Sequence, residues 1–151
     1  MKLLLPLLLF SSSALALDFT VIGPCSQKPI AQTQVPVTSA TNLGDLTVST
    51  LNLLKVPFTG DRSGISSIAN SPRGDDALEV LSDTQMRAYG WCVEIDGNQP
   101  AEMPDEVPVT TATQSVTWFY AYSLYDTGVW KDYCTPAWVK HSLAVCQADL
   151  H

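Results

Sequence analysis

Basic side chains are scarce in this chain, and histidine is nearly absent. Eight Lys and Arg stand against fifteen Asp and Glu, with two His, for a formal charge of −7 at neutral pH. Binding to a phosphate backbone needs a basic footprint, so nucleic acid is not an expected partner. An anionic membrane surface is disfavoured for the same reason. His141 and His151 offer little material for a His-based acid, base or metal ligand. No C-x-x-C pair suggests a zinc site, and no G-x-S-x-G suggests a nucleophile elbow. Asp96-Gly97-Asn98 lacks the later ligands of a calcium loop. No metal, no cofactor and no catalytic residue is therefore expected. After the N-terminus no apolar run approaches the roughly 20 residues that cross a bilayer.

What is present begins with an export signal. Lys2 is followed by the apolar run Leu3–Phe10, then Ser11–Ser13 and Ala14-Leu15-Ala16. This is the charged, apolar and A-x-A order of a cleavable leader, with cleavage expected after Ala16. Losing Lys2 leaves seven basic residues against fifteen acidic ones. The expected compartment is the periplasm or the extracellular space. There, Cys25, Cys92, Cys134 and Cys146 read as two disulfides, with three connectivities open. Cys92 lies on the small-residue face of a strand, and Cys134 falls just past the end of the next clear strand. Cys25 and Cys146 sit near the two ends of the mature chain. The expected pairs are Cys92–Cys134 and Cys25–Cys146.

Periodicity organises the rest. Leu17–Ile22 reads as a first strand, and Ile30–Val37, with Pro36 inside it, as an edge strand. Thr47–Lys55 reads as a helix capped by Thr47, with Leu46 and Leu51 as a staple. Gly64–Ala69 is a short strand. Asp75 and Asp76 suit the start of a second short helix that buries Ala77, Leu78 and Leu81. Arg87–Ile95 alternates Tyr89, Trp91, Val93 and Ile95 with Ala88, Gly90, Cys92 and Glu94. Ser115–Leu124 alternates Val116, Trp118, Tyr120, Tyr122 and Leu124 with Ser115, Thr117, Phe119, Ala121 and Ser123. Asp96-Gly97-Asn98 and Asp126-Thr127-Gly128 are turns. Beyond Thr135 the pattern fits a helix opened by Pro136 or an alternating strand equally well.

Several of these segments resemble a known family. Gly44-Asp45-Leu46-Thr47-Val48 with Leu51 resembles its helix start, and Gly64-Ile65-Ser66-Ser67-Ile68 its next strand. Trp91-Cys92-Val93-Glu94-Ile95-Asp96-Gly97 resembles its hairpin. Ser115-Val116-Thr117-Trp118-Phe119-Tyr120 resembles its closing strand. Together they resemble the transcobalamin-like C-terminal domain, over roughly residues 17–130. The resemblance implies an α+β fold: a β-grasp-like mixed sheet with one or two short helices, here disulfide-stabilised. In transcobalamin that domain caps a helical barrel. No such barrel is read here, so cobalamin binding is not expected. The expected organisation is a leader at 1–16, a β-grasp-like domain at 17–134 and an extension at 135–151 that packs on or pairs with the sheet.

Two function classes remain. The favoured one is an exported, non-catalytic binding or adhesion module, expected to be monomeric. Its partner would be a small molecule, glycan or protein. Its contact residues would be Tyr122, Tyr125 and Trp130, expected to be exposed where the closing strand outruns its neighbour. The other is a secreted enzyme or inhibitor acting through the acidic, Pro-rich loop around Glu102, Asp105 and Glu106. In both acidic clusters, that one and Asp75, Asp76 and Glu79, ordinary solvation is the simpler reading.

Overall fold

A computed structural model describes residues 16–140 and 144–147. The leader, apart from Ala16, lies outside the described residues, as do His141, Leu143 and His151. In chain order the elements are β1 (Ala16–Ile22), β2 (Pro29–Pro36), β3 (Thr41–Asn42), α1 (Leu43–Leu53), β4 (Phe58–Asp61) and β5 (Gly64–Ile68). A 3-10 turn at Gly74–Ala77 leads into β6 (Leu78–Ser82) and β7 (Gln85–Ile95). Then come β8 (Pro108–Val109), β9 (Ser115–Asp126), β10 (Val129–Pro136), a 3-10 turn at Ala137–Val139 and a short α2 (Ala144–Gln147). Among the described residues the framework is mainly β, and α1 is the one substantial helix.

The main sheet runs β2-β1-β9-β7-β6. It is mixed. β1 pairs parallel to the first half of β9, and the other ladders are antiparallel. β10 takes over the same edge of β9 where β1 leaves off, pairing with its second half. β3–β8 and β4–β5 are small separate ladders.

α1 starts four residues earlier than the sequence suggests. Asn42 is its cap: its Oδ1 accepts from the Asp45 N–H at 2.8 Å. Thr47 is inside the helix and fully buried. Gly44 sits in the first turn because a Cβ there would collide with the Arg62 carbonyl of the β4–β5 turn. α1 lays Leu43, Leu46 and Leu51 on Phe19, Val21, Val116 and Trp118 to form the main core. The helix ends at Leu53, before Pro57, and Lys55 turns away with φ 56°.

The second helix expected near Leu78 is not formed. Only Gly74–Ala77 winds, as a single 3-10 turn, and Gly74 takes φ 60°. Leu78 onward extends as β6, an edge strand, and leaves Leu78 and Leu81 exposed where burial was expected. Ala77 alone of the expected apolar side is buried. The boundary expected after residue 134 falls inside β10, where Thr135 and Pro136 pair with Tyr122 and Ala121.

Cys25 bonds Cys146, and Cys92 bonds Cys134. No described cysteine is free. Two disulfides fit an oxidising compartment. Among the described residues no helix is long and apolar enough to cross a membrane.

Candidate functional site

The β7–β9 pair presents two unlike faces. Its inner face carries Tyr89, Trp91, Trp118, Tyr120 and Tyr122. Large aromatics bury much apolar area, but each indole N–H or phenol O–H needs a polar partner once inside. Tyr89, Trp91, Trp118 and Tyr120 each find one. Trp118 Nε1 donates to Thr47 Oγ1 at 2.9 Å, and Trp91 Nε1 to Ser71 Oγ at 2.8 Å. Tyr120 donates to the Pro72 carbonyl at 2.7 Å, and Tyr89 to Glu79 Oε2 at 2.7 Å. Burial pushes the Tyr120 hydroxyl well above the ordinary phenol range. Arg87 bonds the same Glu79 oxygen at 2.8 Å and lies over the Tyr122 ring.

This face removes Tyr122 from the surface. It is 6% exposed, packed beside Tyr89 and opposite it in the ladder. The expectation that the end of β9 outruns its neighbour fails, because β7 begins at Gln85 and pairs with β9 as far as Asp126.

The outer face is different. Ala88, Gly90, Ala121 and Ser123 form a floor with almost no side chain. Trp130 and Tyr133 of β10 stand along it, enclosing a groove of about 350 Å³. Trp130 is 38% exposed and Tyr133 69%. Tyr125, half-buried, lies edge-on to Trp130 with ring centroids 5.3 Å apart. The structure thus brings together two of the three aromatics picked from the sequence, Tyr125 and Trp130.

Tyr133 was not among them, and its place depends on a bulge. Between Lys131, paired with Leu124, and Thr135, paired with Tyr122, residues Asp132, Tyr133 and Cys134 leave the ladder. Asp132 and Cys134 take φ 52° and 53°, the left-handed region that side chains other than glycine rarely adopt. The Cys92–Cys134 disulfide ties this excursion to the outer face of β7. The neighbouring cysteine was the available signal for Tyr133.

The turn at the top of the groove holds a charge pair. Asp126 accepts from Lys131 Nζ at 2.7 Å and from Thr127 Oγ1 at 2.9 Å. Lys131 first, then Gln85 and Thr127, hold its carboxyl down at about 2.

The acidic clusters do not build a site. Asp75 and Asp76 are exposed on the 3-10 turn, while Glu79 turns inward to Arg87 and Tyr89. Glu102 borders a separate cavity of about 280 Å³, lined also by Ile65, Val93 and Met103. Asp105 is half-buried and Glu106 exposed. Among the described residues no group of three or more His, Cys, Asp or Glu side chains is placed to hold a metal ion.

No family model and no curated protein matches the chain. Among solved structures, a protein from Ruminococcus gnavus described as a "putative metal binding protein" is similar at 19% identity. The match covers 70% of this chain and 94% of that one, with a TM-score of 0.44.

Proposed function

We propose that this chain is an exported, non-catalytic binding module whose ligand lies in the groove between Trp130 and Tyr133. The carrying observation is the groove itself, a bare floor of Ala88, Gly90, Ala121 and Ser123 with exposed aromatic rings beside it. Exposed rings over a flat floor suit a ligand with a flat or ring-shaped apolar face, such as a sugar ring, with Ser123 and the Tyr133 hydroxyl as polar contacts. The leader and the two disulfides support an export role.

The transcobalamin-like, β-grasp reading belongs to this proposal. The strand order β2-β1-β9-β7 with β1 parallel to β9 supports it. So does the meeting of motif residues: Gly44 at the helix start, and Thr47 on the indole of Trp118.

Gly90 makes the reading testable. A Cβ there would meet nothing within 4 Å, so Gly90→Leu grows into the groove. A glycan and small-ring panel should yield a ligand whose binding quenches tryptophan fluorescence. Gly90→Leu and Trp130→Ala should each weaken it about tenfold or more. Ligands that bind both variants as well as the parent would place the site elsewhere.

A further inference from the structure

β2 and β6, the two end strands of the order β2-β1-β9-β7-β6, are finished differently. β2 is closed by Pro29 and Pro36 and carries Gln32, Thr33 and Gln34 between them. Proline and polar residues are the ordinary guards of an open edge. β6, at the other end, reads Leu78-Glu79-Val80-Leu81-Ser82, with no proline and no lysine. Its one charge, Glu79, is turned inward to Arg87 and Tyr89. Among the described residues no strand pairs with its outer edge. Val80 is 77% exposed and Leu78 46%, and Val80 borders a small hollow with Met86 and Tyr125. The bulge at Leu81 ends the regular edge, so Leu78–Val80 is its regular part, with Leu78 and Val80 facing out.

From this we infer that β6 is a docking edge for an extended segment of a partner protein, which adds a strand to the sheet and lays apolar residues beside Leu78 and Val80. Charge selects the occupant. Asp75 and Asp76 precede β6 and Asp83 follows it, all exposed. Arg73, also exposed, offsets only one of them. A fitting partner strand therefore carries alternating apolar residues with Lys or Arg at both ends. A second copy of this chain fits badly. Antiparallel β6–β6 pairing would set Asp83 of each copy against Asp75 and Asp76 of the other, between two molecules that each carry a large excess of acidic residues.

The test uses the chain purified after export and a synthetic peptide, Lys-Lys-Thr-Val-Thr-Val-Thr-Lys-Lys, carrying a fluorophore. The expected result is saturable binding seen by anisotropy, with new hydrogen-exchange protection confined to β6. Val80→Lys, at an exposed position that leaves melting unchanged, should weaken binding about tenfold or more. N-methylation of alternate peptide bonds should abolish it, and so should Glu in place of the four Lys. No binding, equal binding by the Glu-flanked peptide, or equal binding to Val80→Lys would each overturn the inference. So would a dimer of the chain that Val80→Lys dissociates, since the edge would then serve a second copy. None of these outcomes bears on the groove, where Gly90→Leu is the control.

Discussion

The inner and outer faces of the β7–β9 pair are built from alternate residues of the same two strands. On the inner face Tyr89, Trp91, Trp118 and Tyr120 each have their polar atom bonded to α1 or to the segment 71–79. On the outer face the floor is Ala, Gly and Ser, and the rings above it come from β10, held by one disulfide. Period-two alternation of large and small residues thus does two jobs. The large set makes a core, and the small set leaves room above the sheet.

The strongest test of that contrast compares two tryptophans. Trp118 is 2% exposed and bonded to Thr47. Trp118→Ala removes the ring and strands a buried hydroxyl, and should cost about 3–5 kcal/mol. Trp130→Ala should cost less than about 1 kcal/mol, since Trp130 is 38% exposed and borders the open groove. Urea unfolding of both decides the matter. If Trp130→Ala melts as early as Trp118→Ala, the outer face is core and the groove reading loses its main residue.

The same two strands mark how far the sequence could be read. Alternation in 87–95 and 115–124 sorted both faces correctly; the turn residues at 126–128 fell at a hairpin tip, and those at 96–98 in a tight turn closed by the Ile95–Asn98 bridge. Tyr122 was misplaced because alternation says which face a residue takes, not what covers it. Its cover comes from Tyr89 on a partner strand that starts two residues earlier than was read. Leu78 and Leu81 were misassigned because a short apolar run fits a helix and a strand equally well. Pairing of β6 with β7 decides it, and that is a tertiary contact. Asn42, not Thr47, caps α1, and Gly44 stands in its first turn. The reason for glycine there, the Arg62 carbonyl, lies in a distant turn. Periodicity could not mark Tyr133 as a groove wall, because a three-residue excursion from a ladder leaves no periodic trace.

The next effect in size separates the faces through the disulfide. Replacing Cys92 and Cys134 together by Ser should cost about 2–4 kcal/mol, by freeing a long loop in the unfolded chain. Within the folded protein the damage should be local. The left-handed residues Asp132 and Cys134 lose their tether, so amides of 129–135 should exchange faster. Amides of the β1–β9 ladder should keep their protection. Equal loss on both would mean that the disulfide supports the core and not the groove wall.

The smallest effect is a matter of acid. The Asp126 carboxyl is held at about 2, below its ordinary 3.8, chiefly by the Lys131 ammonium. A carboxyl lowered in the folded state stabilises the fold while it is ionised in both states, which is the case above pH 4. That contribution fades as pH falls from about 4 and is gone once the folded group is itself protonated near 2. The pair bridges the β9–β10 turn next in sequence to Tyr125 and Trp130, so its loss loosens the start of β10, which carries Trp130. Between pH 4 and 2 the fluorescence from Trp130 should shift while the buried indole of Trp118 stays constant, which single-tryptophan variants can resolve. Asp126→Asn cannot ionise and should abolish the Trp130 shift in that window. A shift that persists in Asp126→Asn would assign the acid response to another carboxylate and remove the charge pair from the account of how β10 is held.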